Sequence, residues 1–166
     1  IDAAAEAISV GVCSAGDMMM MYGSTIFTIQ VTNEKIIDGR LWYAPWLFKD
    51  LHGSMAGLAT SGTLTHWFRD NFAKEIPKHK AFEILAAEAA QSPPGSKGLI
   101  VLPYFSGERT PIHDPKARGA IFGLDLTHNR GDIFRAFLEG IAMGTAQVFE
   151  TYEAIGQNPK KIMAVG

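Results

Sequence analysis

An excess of charge of one sign is what this sequence most plainly lacks: fifteen Lys and Arg face seventeen Asp and Glu, a formal net charge of −2. No cationic field exists to gather nucleic acid or an anionic membrane, so polyanion binding by bulk charge is excluded. Cysteine is nearly absent as well. Cys13 stands alone in an apolar run, which rules out an internal disulfide and predicts a small buried side chain in a reducing compartment, the cytoplasm. No apolar run approaches the roughly 20 residues a bilayer span requires, and residues 18–21, four methionines, are far too few. No membrane partner is expected. A Walker A loop is missing too, since Gly-x-x-x-x-Gly-Lys-Ser/Thr occurs nowhere in the chain, so any nucleotide site must be of another kind.

What is present is 166 residues, 47% hydrophobic and 19% charged, enough to enclose one core. The opening Asp2-Ala3-Ala4-Ala5-Glu6-Ala7-Ile8 predicts a helix with Asp2 at or near its N-cap. Two apolar runs, 18–22 and 26–31, flank Gly23-Ser24-Thr25 and predict a hairpin whose methionines pack as core. Aromatic-rich residues 39–46 predict a third strand, with Pro45 confining it to a sheet edge, so three successive antiparallel strands are expected. Leu64, Trp67 and Phe68 at helical spacing predict a helix to about residue 72, and a second helix follows over about 81–90. Residues 98–102 read as a buried strand and 106–119 as a long polar loop. Apolar residues three and four apart over 131–155 predict a long amphipathic helix capped by Gly156, and a final strand begins at Lys161 or Ile162. The fold class is mixed α/β. Ile1 stands where a Met would open a chain and Gly166 closes it inside a strand-like run, so the chain is expected to be one piece of a larger protein.

Two features can carry chemistry. The bend Gly23-Ser24-Thr25 gathers a glycine, two hydroxyls and backbone N–H groups, a workable phosphate cradle, although an ordinary hairpin turn has the same composition. Asp2 reads either as a plain N-cap or as a general base held across a cleft by its helix, and the two roles are compatible. Residues 105–119 concentrate charge in a chain otherwise sparing with it. The bland account is a surface loop joined by contacts of Glu108 with Arg109 or Arg118; its prolines and glycines suggest a fixed backbone path. His113 lacks partners at metal-ligand spacing, so no metal site is predicted.

Asp2-Ala3-Ala4-Ala5-Glu6-Ala7, the Gly23-Ser24-Thr25 bend, Gly107-Glu108-Arg109-Thr110-Pro111 with Asp114-Pro115 and Ala117-Arg118-Gly119, and Leu138-Glu139-Gly140-Ile141-Ala142 together resemble the C-terminal domain of the FGGY carbohydrate kinases, on their xylulokinase-like side. The resemblance implies a ribonuclease-H-like, actin-like ATPase domain, a mixed sheet with helices on both faces, incomplete here. Residues 1–166 would be part of that C-terminal domain, with the N-terminal kinase domain and the adenine-binding end lying outside them. It further implies ATP and Mg2+ as cofactors and a sugar as substrate. Asp2 matches the family's catalytic aspartate, which takes the proton of the attacking sugar hydroxyl. Gly23, Ser24 and Thr25 match its phosphate-contacting turn, and Gly62 and His66 match helix-start positions near the nucleotide. The Glu108-Arg109-Thr110-Pro111 form favours a ketopentose such as xylulose over glycerol or another polyol. The piece alone is expected to be inactive. The competing expectation is a non-catalytic binding or assembly module of the same fold, with a homodimer as its partner state.

Overall fold

A computed structural model of the protein describes residues 2–166. Its elements run α1 (Asp2–Ser9), β1 (Asp17–Tyr22), β2 (Ile26–Thr32), β3 (Trp42–Pro45), β4 (His52–Leu58), α2 (Gly62–Phe72), α3 (Lys78–Gln91), β5 (Ile100–Leu102), β6 (Ala120–Phe122), α4 (Arg130–Glu153) and β7 (Lys161–Val165). The main sheet has the order β3-β4-β2-β1-β7, and β5 and β6 form a separate antiparallel pair. β7 runs parallel to β1, setting Met19 beside Met163 and Met21 beside Val165, while the other neighbours are antiparallel. The sheet is therefore mixed.

The methionine run shows how β1 serves both faces of the sheet. Side chains alternate across a strand, so Met18 and Met20 enter the core beneath α2, α3 and α4, whereas Met19 and Met21 pack toward α1 on the opposite face. On the first face Leu64 and Phe68 of α2, Leu85 and Ala89 of α3, and Phe134, Phe137 and Val148 of α4 complete one cluster. On the second, Ala4 and Ala7 of α1 meet Met19, Ile29, Val31 and Trp46. Helices cover both faces. The long helix α4 opens on a reciprocal cap, in which Asn129 Oδ1 accepts from the Asp132 N–H at 3.1 Å and Asp132 Oδ2 accepts from the Asn129 N–H at 2.9 Å. Near its other end Tyr152 is buried, its hydroxyl 3.0 Å from Thr28 Oγ1 and donating to Ser54 O at 3.1 Å, which roots α4 in the sheet.

Three expectations change. The strand β4 was not foreseen: His-Gly-Ser-Met-Ala-Gly-Leu has two glycines and no β-branched residue, so strand propensity is silent. It inserts between β2 and β3, so the expected succession of three neighbouring antiparallel strands does not form, although β3 with Pro45 does lie at the sheet edge. The strand expected to be buried, β5, exposes Ile100 at 61% and pairs only with the short β6. Cys13 is half-buried rather than enclosed.

Candidate active site

The bend between β1 and β2 is closed by the Gly23 N–H donating to Thr25 O at 3.0 Å. Its carbonyls turn toward α2. The Ser61 N–H donates to Ser24 O at 3.0 Å, the Gly62 N–H to Gly23 O at 3.0 Å, and both the N–H and hydroxyl of Thr63 to Ser24 O at 3.2 and 3.0 Å. No side-chain cap opens α2, so these carbonyls satisfy donors that a helix start would otherwise leave orphaned. The helix N-terminus is thereby spent on the turn, and any phosphate must be met by the turn itself. Glycine is required at 62, because a Cβ there would stand 2.7 Å from Gly23 O. Gly23 and Ser24 remain exposed and Thr25 is half-buried.

The surrounding topology brings several strand ends to this place. The parallel strands β1 and β7 finish side by side, Met21 level with Val165, and β4 finishes with Leu58 opposite Ile26. Carboxyl ends of parallel strands are where open α/β sheets take their ligands.

Asp2 opens α1 and is exposed. Beyond the helix end, Gly11 lies next to Lys161, which is paired with Asp17, while Ala4 and Ala7 pack on the sheet with Met19. The helix thus lies on the sheet face opposite α2, α3 and α4. Asp2 makes no hydrogen bond or ion pair with the bend among the described residues. Of the residues singled out in the sequence, then, Gly23, Ser24, Thr25 and Gly62 form one knitted unit, Asp2 is not bonded to it, and His66 lies one turn further along α2. The His66 ring is exposed and packs edge-on against Phe82 of α3, with centroids 5.1 Å apart.

Sequence reasoning undervalued Glu108. Rather than a surface partner of Arg109 or Arg118, it is 5% exposed, and its Oε1 accepts the Ala59 N–H at 3.1 Å and the Arg109 N–H at 2.6 Å. Arg118 instead donates to the carbonyls of Pro115 and Ala117. Burial pushes the Glu108 carboxyl above its ordinary range, against the pull of those two N–H donors. Its Oε2 and the buried Thr110 hydroxyl have no protein partner among the described residues. The same loop donates the Thr110 N–H to Gly57 O at 3.1 Å and brings His113 Nε2 within 2.9 Å of Arg40 O. Gly57 is itself closed to side chains, since a Cβ would collide with Ile26 O. The signal that pointed here was a charged run in a chain with little charge.

Among the described residues no three His, Cys, Asp or Glu side chains come together as a metal-binding group. No helix among the described residues is long and apolar enough to cross a membrane.

A mixed sheet with helices on both faces and a glycine bend at the carboxyl ends of its parallel strands defines an α/β domain of the actin-like ATPase fold, as its structural neighbours also have. The chain belongs to the FGGY family of carbohydrate kinases, whose C-terminal domain it matches over residues 18–166. It is similar to a xylulose kinase from Bacillus subtilis, 29% identical over 99% of this chain and 33% of the relative, and to a gluconokinase from the same organism, 31% identical over 86% and 29%. Among solved structures, a xylulose kinase from Rhodospirillum rubrum superposes with a TM-score of 0.89 at 31% identity, over 98% of this chain and 32% of that one. A Plasmodium falciparum glycerol kinase with ADP reaches 0.83 at 20% identity, over 99% and 33%, a likeness of fold alone. The chain spans about a third of the length of the curated relatives it matches.

Proposed function

We propose that this chain is part of the C-terminal domain of an ATP-dependent carbohydrate kinase, that an N-terminal kinase domain and the adenine-binding end complete it, and that its acceptor is a ketopentose such as xylulose. The observation that carries the reading is the glycine bend locked to the start of α2 where the parallel strands β1 and β7 end, with Asp2 exposed at the start of α1. In this reading Asp2 accepts the proton of the sugar hydroxyl as that oxygen attacks the γ-phosphorus, the bond to the bridging oxygen breaks, and ADP leaves. The bend, with the Ser24 and Thr25 hydroxyls, holds phosphate oxygens in line. Phosphoryl transfer is chiefly positioning and charge stabilisation, so a rigid turn and one aligned carboxylate are the contributions required of this lobe. Mg2+, when bound with the nucleotide, supplies charge neutralisation; the described residues contain no cluster to hold it alone, so it is expected to be carried by the phosphates and the companion domain. Relatives named as xylulose kinases recur in the comparisons beside ribulokinases and a gluconokinase, and the Glu108-Arg109-Thr110-Pro111 form supports the ketopentose.

The test is turnover of the full-length protein with ATP, Mg2+ and xylulose. Asp2→Asn is expected to lower kcat by at least about a hundredfold while leaving the KM for ATP within about threefold. Undiminished turnover would discard Asp2 as the base. The 166-residue chain alone is expected to form no sugar phosphate.

A further inference from the structure

The phosphate turn leans on a short strut, residues 59–62, that links the end of β4 to the start of α2. Both ends of this strut are tied. At one end Ser61 and Gly62 donate to the carbonyls of Ser24 and Gly23, as above. At the other, the Ala59 N–H goes to the buried Glu108 carboxylate and the Thr60 hydroxyl to Pro103 O, both in the segment after β5. Gly57, two residues before the strut, receives the Thr110 N–H from the same segment. Beside the Thr60 and Thr110 ties, Glu108 Oε1 holds two backbone donors at once, the Ala59 N–H of the strut and the Arg109 N–H of its own loop.

We propose that Glu108 is a positioning residue for the phosphate turn: its Oε1 fixes Ala59, and through the 59–62 strut fixes where Gly23 and Ser24 stand. The proposal rests on the phosphate-binding reading of that turn and deepens it. What matters is reach and an acceptor oxygen, not negative charge. A carboxylate doing its work as a charge would have a cation on Oε2, and among the described residues Oε2 has no protein partner. A buried acceptor that satisfies two backbone donors is costly to remove, since both N–H groups lose their protein partner.

The discriminating variants separate charge from reach. Glu108→Gln keeps the oxygen and drops the charge; Glu108→Asp keeps the charge and withdraws the oxygen by one methylene; Glu108→Ala removes both. Two readouts are taken: amide hydrogen exchange at Ser61, Gly62 and Thr63, and steady-state kinetics of the full-length kinase with ATP and xylulose. Gln is expected to stay within about threefold of wild type in both. Asp and Ala are expected to speed exchange at those three amides by about tenfold or more, with the rest of α2 little changed, and to raise the KM for ATP about tenfold with the sugar KM unchanged. If Ala does not fold, the Gln and Asp pair decides. The reverse order, Asp like wild type and Gln impaired, would overturn the proposal in favour of a charge role. So would equal loss of melting temperature in all three with unchanged exchange and ATP KM per folded molecule, or faster exchange with no kinetic consequence. A full-length protein with no kinase activity would sink the functional reading itself, and the exchange order at 61–63 would then decide the strut on its own.

Discussion

On one face of the five-stranded sheet a single eight-residue helix rests two alanines on Met19, Ile29 and Val31; on the other, three helices bring Phe68, Leu85, Phe134, Phe137 and Tyr152 into one cluster. The thick face is laced with rings. Phe68 meets Phe134 at 5.0 Å and Phe137 at 5.1 Å, and Phe137 meets Phe105 at 5.6 Å. A helix as short as α1 is marginal alone and stands only on its packing. The two halves of the proposed chemistry divide along this line: the phosphate turn is braced through α2 by the thick face, and the proposed base sits at the tip of the thin one. Rigidity is spent where the phosphate must be met by backbone, and the element carrying a single side chain is left lightly held.

Substitutions on each side of the sheet can break or sharpen that contrast. The largest loss of stability is expected from Phe137→Ala, about 3–5 kcal/mol by chemical denaturation, because a fully buried ring leaves a cavity among other rings. A cost below about 1 kcal/mol would show that the thick face is not the stabilising one. Gly62→Val comes next, at about 1–3 kcal/mol, since its new atoms meet backbone that cannot swing aside. It should also weaken ATP binding by the full-length protein, and unchanged nucleotide affinity would separate the turn from phosphate. Smaller again is the contribution of Asp132 at the start of α4. Its carboxyl is held down at about 2, below its ordinary 3.8, first by the Asn129 N–H and further by Lys97. A depressed pKa adds stability that is complete above the ordinary value and lost as pH falls toward the folded one. Wild type should therefore weaken between about pH 4 and 2, and Asp132→Asn should flatten that slope in acid titrations followed by circular dichroism. Least costly to the fold is Asp2→Asn at the exposed tip of α1, within about 0.5 kcal/mol. In turnover the order inverts, with Asp2→Asn the most damaging.

Legibility in the sequence followed the same division. Periodicity disclosed α2, α3 and α4, whose apolar positions repeat at about 3.6 residues because one face is buried, and the β1–β2 hairpin was legible as two apolar runs flanking Gly23-Ser24-Thr25. β4 escaped because its glycines serve close backbone approach, Gly57 against Ile26 O, and such a requirement erases the propensity signal. β6 escaped because three residues are too few for any period. At the site, the bend was legible from its glycine and hydroxyls and Gly62 through the family resemblance, yet nothing in either showed that they bond to one another. Glu108 was noticed within a loop read as a fixed backbone path, but its burial was not foreseen. Its neighbours in sequence are polar, and only the fold reveals that it is buried against Ala59 from another element.

Taken by itself, the amino-acid order determined the kinds of element, the alternation of the methionines across the sheet, the edge position of the proline-bearing strand and the family. Those follow from local sterics and from which side chains avoid water. The insertion of β4 between β2 and β3, the docking of the turn on α2 and the burial of Glu108 were decided by tertiary structure alone. Each depends on backbone groups finding partners far along the chain, and backbone donors and acceptors are the same in every residue except proline.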